Sequence, residues 1–329
     1  MTIRPTIWLN DFIVRLNPSP LQPLREPRVT QLINGNFLVS WADSFNLDDT
    51  LPGSDVIGQL FDPLGMPIGG RIRINTNFSD NESEADIAAL PGGGFLVVYT
   101  DDSSTGTAIR WNIRSATGAL VSNGTVVSIT DAAGRVDNPE IVTRLDGSFA
   151  VIWELSQVVA LVPTVKSNMQ IFDGNGAATS GVLLTGTARS GFDVGVRANG
   201  TFVTASALED LNFFNSEITI RAFTANGTKI TTGDLAVITS AVNGVEFFDP
   251  QIAGLAATAA LPSAARYVVV WTSDSGTNDG IFFSIFDGTQ VLVSQRAVTS
   301  DSERDNEPAV VALPDGGFSL FGTMIPMGG

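Results

Sequence analysis

Three stretches of this chain concentrate oxygen ligands: 43–55 (DSFNLDDTLPGSD), 101–106 (DDSSTG) and 273–280 (SDSGTNDG). Closely spaced Asp among Asn, Ser and Gly offers carboxylate, hydroxyl and carbonyl oxygens on tight turns, the ligand set of a hard cation such as Ca2+. The candidate metal ligands are Asp274 with Asp279, then Asp101 with Asp102, then Asp43, Asp48 and Asp49. None of the stretches has the EF-hand spacing. Solvated surface loops share this composition and stand as the alternative.

The 34 acidic residues also admit a paired-carboxylate glycoside hydrolase, which needs two acids flanking one bond. No pair stands out in the sequence. The chain has no His and no Cys, which removes the Ser-His-Asp triad, imidazole bases, thiolate nucleophiles and transition-metal sites built on either residue. The expectation is a protein that is not an enzyme, with no catalytic residue and no cofactor apart from calcium. A net charge of −16 argues against nucleic acid and anionic membrane as partners. No apolar run is long enough for a helix to cross a membrane. The N-terminus MTIRPTIWLNDF lacks the apolar core and cleavage site of a secretory signal.

The elements that must position these residues repeat six times. PRVTQLINGNF starts at Pro27, ADIAALPGGGF at Ala85, PEIVTRLDGSF at Pro139, FDVGVRANGTF at Phe192, PQIAGL at Pro250 and PAVVALPDGGF at Pro308. An apolar run of strand length meets a Gly- or Asn-containing turn that accepts positive φ, and an aromatic opens a second run. A polar loop, a third run such as VIGQLFD (56–62) or IFFSIFD (281–287), and a fourth such as RIRIN (71–75) or RAVTS (296–300) complete each unit. Alternating apolar and polar residues give strand periodicity throughout. Trp41, Tyr99, Trp153 and Trp271 each sit four residues after the aromatic that opens the second run. That spacing keeps both rings on one strand face and assigns them to the core.

A unit of four antiparallel strands repeated end to end predicts an all-β fold, a six-bladed β-propeller. The chain reads as one domain, 1–329, with blades at about 27–75, 85–129, 139–185, 192–239, 250–300 and 308–324. The sixth unit lacks its last two runs, and residues 6–17, including FIVRLN, supply the strands that close it. In such a meander the second-to-third loops and the crossings between units share one face. That face receives most of the acids, and the crossings DNE (80–82), VDNP (136–139), FDP (248–250) and RDNEP (304–308) place Asp or Asn just before the next unit. These read as turns that satisfy backbone amides before the proline.

The units resemble a bacterial repeat of large exported proteins, found upstream of RTX hemolysin-type calcium-binding repeats. The matching segments are PAVVALPDGGF, FLVSWADS (37–44), YVVVWTSDSG (267–276), GQLFDPLG (58–65) and RIRINT (71–76). The fourth unit carries Phe192 and Ser206 where the pattern has Pro and Trp. The resemblance implies export without a cleaved signal, to the medium or the cell surface, with the cytosol as the alternative. It also implies a non-catalytic scaffold or adhesion module that binds a protein or glycan on its acidic loop face, with calcium there. Two other readings are kept: a lectin propeller with exposed Trp, and a glycoside hydrolase whose acids converge on the central channel.

Overall fold

The computed structural model describes residues 24–43, 53–77, 80–130, 133–159, 162–186, 191–208, 216–231, 234–240, 244–274, 279–298 and 304–325. It is an all-β propeller of antiparallel sheets taken in chain order. The first sheet holds β1 (Leu24–Gln31), β2 (Phe37–Asp43), β3 (Asp55–Phe61) and β4 (Pro67–Arg73). The second holds β5 (Asn81–Ala89), β6 (Phe95–Ser103), β7 (Gly106–Arg114) and β8 (Leu120–Thr130). The third holds β9 (Arg135–Thr143), β10 (Phe149–Val159), β11 (Val162–Phe172) and β12 (Leu183–Gly186). The fourth holds β13 (Phe192–Val196), β14 (Phe202–Leu208), β15 (Glu217–Phe223) and β16 (Ala236–Thr239). The fifth holds β17 (Glu246–Gly254), β18 (Arg266–Asp274), β19 (Asp279–Asp287) and β20 (Gln290–Ala297). β21 (Arg304–Ala312) and β22 (Phe318–Ile325) pair as a two-stranded sheet. The closing strands expected within 6–17 lie outside the described residues. In the fifth sheet the outer strand begins at Gln290, ahead of the expected run 296–300.

Each four-stranded sheet is a simple meander in sequence order. The first strands touch in succession: β1 meets β5, β5 meets β9, β9 meets β13, β13 meets β17 and β17 meets β21. They are therefore the inner strands, lined up around the axis. The second strands lie inside the stack with both faces covered, so β6 and β18 are buried along seven consecutive residues. The fourth strands face solvent, as the exposed run of β20 shows.

Turn chemistry fixes the hairpins. Gly35, Gly93, Gly147, Gly200 and Gly316 all take positive φ in the inner-strand turns. Asp62 and Asp173 cap the outer turns, each accepting two local amides at 2.8–2.9 Å. Packing between sheets is aromatic. Trp41, Tyr99, Trp153 and Trp271 are 0–1% exposed, and Trp111 of the second sheet meets Phe149 of the third edge-on at 6.0 Å. In the fourth sheet Ser206 takes the tryptophan's place. It hydrogen-bonds Ser167 of β11 at 2.9 Å, and a Cβ on Gly186 would lie 2.6 Å from the Ser206 Cβ. The hydroxyl contact and the glycine together replace an indole.

Candidate functional site

The inner strands bring together charged residues that occupy one repeat position. Two residues before the middle of each inner hydrophobic run, in otherwise apolar strands, stand Arg28, Asp86, Glu140, Asp193, Gln251 and Ala309, the second residue of every unit. Just ahead of them, four inner strands slip register against their partners, between Arg25 and Arg28, Ser83 and Asp86, Phe248 and Gln251, and Asn306 and Ala309. β10 slips in the same place, passing from Glu140 to Asp137 across two of its own residues. The bulge residue is left-handed each time: Glu26 (φ 54), Glu84 (53), Asn138 (51), Asp249 (47) and Glu307 (51), with Gly191 (102) in the fourth unit. A non-glycine residue held there costs roughly 1–3 kcal/mol, and bulges re-aim the side chains beside them. The expected proline turns are thus a column of strained bulges.

The axial side chains span neighbouring sheets. Asp86 accepts the Ile87 amide at 2.9 Å with Oδ1 and, with Oδ2, the Ile141 amide of the next inner strand at 3.0 Å. Asp193 repeats this with Val194 at 2.6 Å and Ile252 at 2.7 Å. Arg28 Nε stands 3.8 Å from Asp86 Oδ1. The Asp86 side chain is 22% exposed.

Glu140 differs from both. Its Oε2 is sealed from solvent and meets no donor among the described residues. Burial, then the charges of Asp193 and Asp86, push its carboxyl well above the usual range. Burial also pushes Asp193 up to about 7, against the hydrogen bonds that it accepts from Ile252, Glu140 and Val194. Asp86 is raised by burial and held back by the Ile141 amide and Arg28. Of this coupled pair Glu140 is the carboxyl that holds its proton more strongly, donating its hydrogen bond to Asp193. A protonated carboxyl beside carboxylates anchored by amides can deliver a proton to a leaving oxygen.

A second acid cluster lies where the first two sheets meet. Glu82 is fully buried, and Asn75 Nδ2 donates to Asp55 at 2.7 Å and to Glu82 at 2.8 Å. Burial, then Asp101, Asp55 and Asp80, push Glu82 up to about 8. Beside it is a cleft of about 280 Å³ walled by Asp80, Asp101, Arg110 and the hydroxyls of Ser103, Thr105, Thr107, Ser128 and Thr130.

The residues expected to hold calcium are dispersed. Asp101 pairs with Arg110, and Asp102 with Arg135 at 3.0 Å. Asp43 is buried at the end of β2, in register with Asp55. Asp274 and Asp279 are backbone register partners at the ends of β18 and β19, and Asp48 and Asp49 lie outside the described residues. Among the described residues no group of three acidic side chains is disposed to hold a metal ion, so the calcium expectation is without support. Spacing along the chain marks the stretches rich in Asp and passes over the axial column. Its signal was in the aligned units, where R, D, E, D and Q follow the first residue of five successive copies.

No protein-family model matches the chain, and no curated protein does. Solved structures do. An α-L-arabinanase of Penicillium chrysogenum, solved with arabinobiose, shares 14% identity at a TM-score of 0.53, over 89% of this chain and 86% of that one. A Dyadobacter fermentans protein of unknown function shares 9% at 0.54, over 92% and 94%. The α-L-arabinofuranosidase Arb93A of Fusarium graminearum shares 11% at 0.49, over 92% of each chain. The first two likenesses bear out the β-propeller. The expectations of a non-catalytic scaffold or adhesion module and of no enzyme activity are overturned by the first of these, since the Penicillium chrysogenum structure is that of an arabinanase. The exposed-Trp lectin fares no better at Trp41, Trp153 and Trp271, whose buried indoles cannot stack on a sugar.

Proposed function

We propose that this chain is a carbohydrate-active enzyme that hydrolyses glycosidic bonds in its axial channel. Glu140 is the proton donor, Asp86 the carboxylate that assists attack from the other side, and Asp193 the positioning residue that keeps the proton on Glu140. The observation that carries this reading is the placing of Asp86, Glu140 and Asp193 at one repeat position on three neighbouring inner strands, with the Glu140 carboxyl raised by burial and by the charges of the other two. Acid and base roles fall to carboxyls whose surroundings drive their proton affinities apart. The arabinan-degrading neighbours support the choice of a glycan as substrate.

The test is reducing-sugar release from arabinan, arabino-oligosaccharides and galactan by the wild-type chain and by Glu140→Gln. Release by the wild type that the variant lacks supports the reading. Release equal in both, or none on any glycan, overturns it. Glycan binding without release would move the site to the carbohydrate-binding alternative.

A further inference from the structure

One face of the second sheet is hollowed out beside the β6–β7 hairpin. Register partners share a face of an antiparallel pair. Asp101 and Ser103 of β6 therefore lie level with Ala108 and Gly106 of β7, and these with Ser128 and Thr130 of β8. The middle strand carries almost no side chain where both its neighbours carry polar ones. At Gly106 (φ 152) a Cβ would lie 2.0 Å from the Ile129 carbonyl oxygen, so only glycine fits. The hollow is the cleft of about 280 Å³, at the small end of ligand sites, which run roughly 300–1,000 Å³. Its polar groups are held in advance. The Asp101 side chain, 3% exposed, is paired with Arg110, whose Nη1 also donates to the Thr125 hydroxyl at 3.1 Å. Ser103 donates to the Gly106 carbonyl at 3.0 Å.

The lining decides the class of ligand. Asp80 and Asp101 repel an anion, and the Arg110 guanidinium is already paired. A hard cation wants several converging oxygens, and among the described residues no group of three acidic side chains is disposed to hold one. An apolar ligand would find carboxylates, a guanidinium and hydroxyls, with only Ala108 and Ile129 to pack against. A small neutral molecule rich in hydroxyls fits. Its hydroxyls can donate to Asp101, accept from Arg110 alongside, and exchange hydrogen bonds with Ser103, Ser128 and Thr130. We propose that this cleft binds one sugar ring of a neutral glycan, at a site separate from the acids of the inner strands. Sugar binding here stands by itself. That it anchors the same glycan which those acids cleave rests on the hydrolase reading.

The test is an NMR titration of the full-length chain, following backbone amides, with L-arabinose, D-galactose and D-glucose, and with sodium phosphate and calcium chloride as charged probes. A sugar is expected to shift the amides of Gly106, Ala108, Ser128 and Thr130. Ser128 is exposed on β8, so Ser128→Trp fills the cleft from a position that tolerates bulk and should abolish those shifts. Arg110→Gln should weaken sugar binding by about tenfold, the loss of a charge-assisted hydrogen bond. Shifts at these residues with phosphate or calcium but with no sugar, shifts confined to the inner strands, no shift with any probe, or equal affinity in the wild type and Ser128→Trp would each overturn the proposal. Cleft shifts in a chain that releases no sugar from any glycan would sink the hydrolase reading and keep the cleft. Sugar release without a response at the cleft would sink the cleft alone.

Discussion

Glu140 and Asp193 hold the same repeat position on neighbouring inner strands, 53 residues apart in the chain, and share one hydrogen bond between two carboxyls. Two like groups in a buried site cannot both ionise, so one keeps its proton. Asp193 already accepts the Ile252 and Val194 amides, which favour its ionised form. Glu140 Oε2 has no such donor among the described residues. The proton therefore resides on Glu140.

Glu140→Gln keeps a neutral hydrogen-bond donor facing Asp193 and removes only the transferable proton. Glycan hydrolysis is expected to fall by about 10²–10⁴-fold, with the melting temperature at neutral pH nearly unchanged. Asp193→Asn removes the charge that raises Glu140, so the alkaline limb of the pH–rate profile should move to lower pH. An unmoved limb would show that Asp193 does not set the proton's position.

Stability should fall as pH rises. The folded state holds protons on Glu82 up to about 8 and on Asp193 up to about 7, while the unfolded chain releases them in the ordinary carboxylate range. Between those limits the folded state binds more protons than the unfolded one, so each step up in pH favours unfolding. The contribution is complete below the ordinary carboxylate range and lost once pH passes about 8. Thermal melts from pH 5 to 8.5 should show a declining midpoint, and Glu82→Gln should flatten the upper part of the curve.

Trp153 is 1% exposed and packs in the cluster that joins the second and third sheets. Trp153→Ala should cost about 3–5 kcal/mol in denaturant unfolding, through lost transfer energy and the cavity left behind. A loss below ~1 kcal/mol would mean that the inter-sheet aromatics are not what holds the stack together.

Deletion of Met1–Asn17 tests ring closure. Among the described residues the last sheet has two strands where the others have four, and Phe321 of β22 is 63% exposed. If the N-terminal runs complete that sheet, the shortened chain should melt earlier and self-associate through the bare strand edge. An unchanged melting temperature and a monomeric profile in light scattering would reject this closure.

The sequence by itself determined the strands, the hairpins and their order. Those features are local: alternation of period two, glycine and asparagine in turns such as Asn34-Gly35, and aromatics four residues apart on one strand face. It also determined what chemistry is missing, since no fold can supply a histidine or a thiol. Only the tertiary structure decided which of the 34 acids matter. Asp101 and Asp102 stand out by their spacing, yet both lie on β6 and each is paired with an arginine. Asp86, Glu140 and Asp193 look unremarkable one at a time, lying more than fifty residues apart in unrelated local contexts. Stacking the sheets places them side by side, and burial together with mutual repulsion then fixes their protonation. A carboxyl's proton affinity depends on what surrounds it in space, and that neighbourhood exists only once the inner strands are assembled.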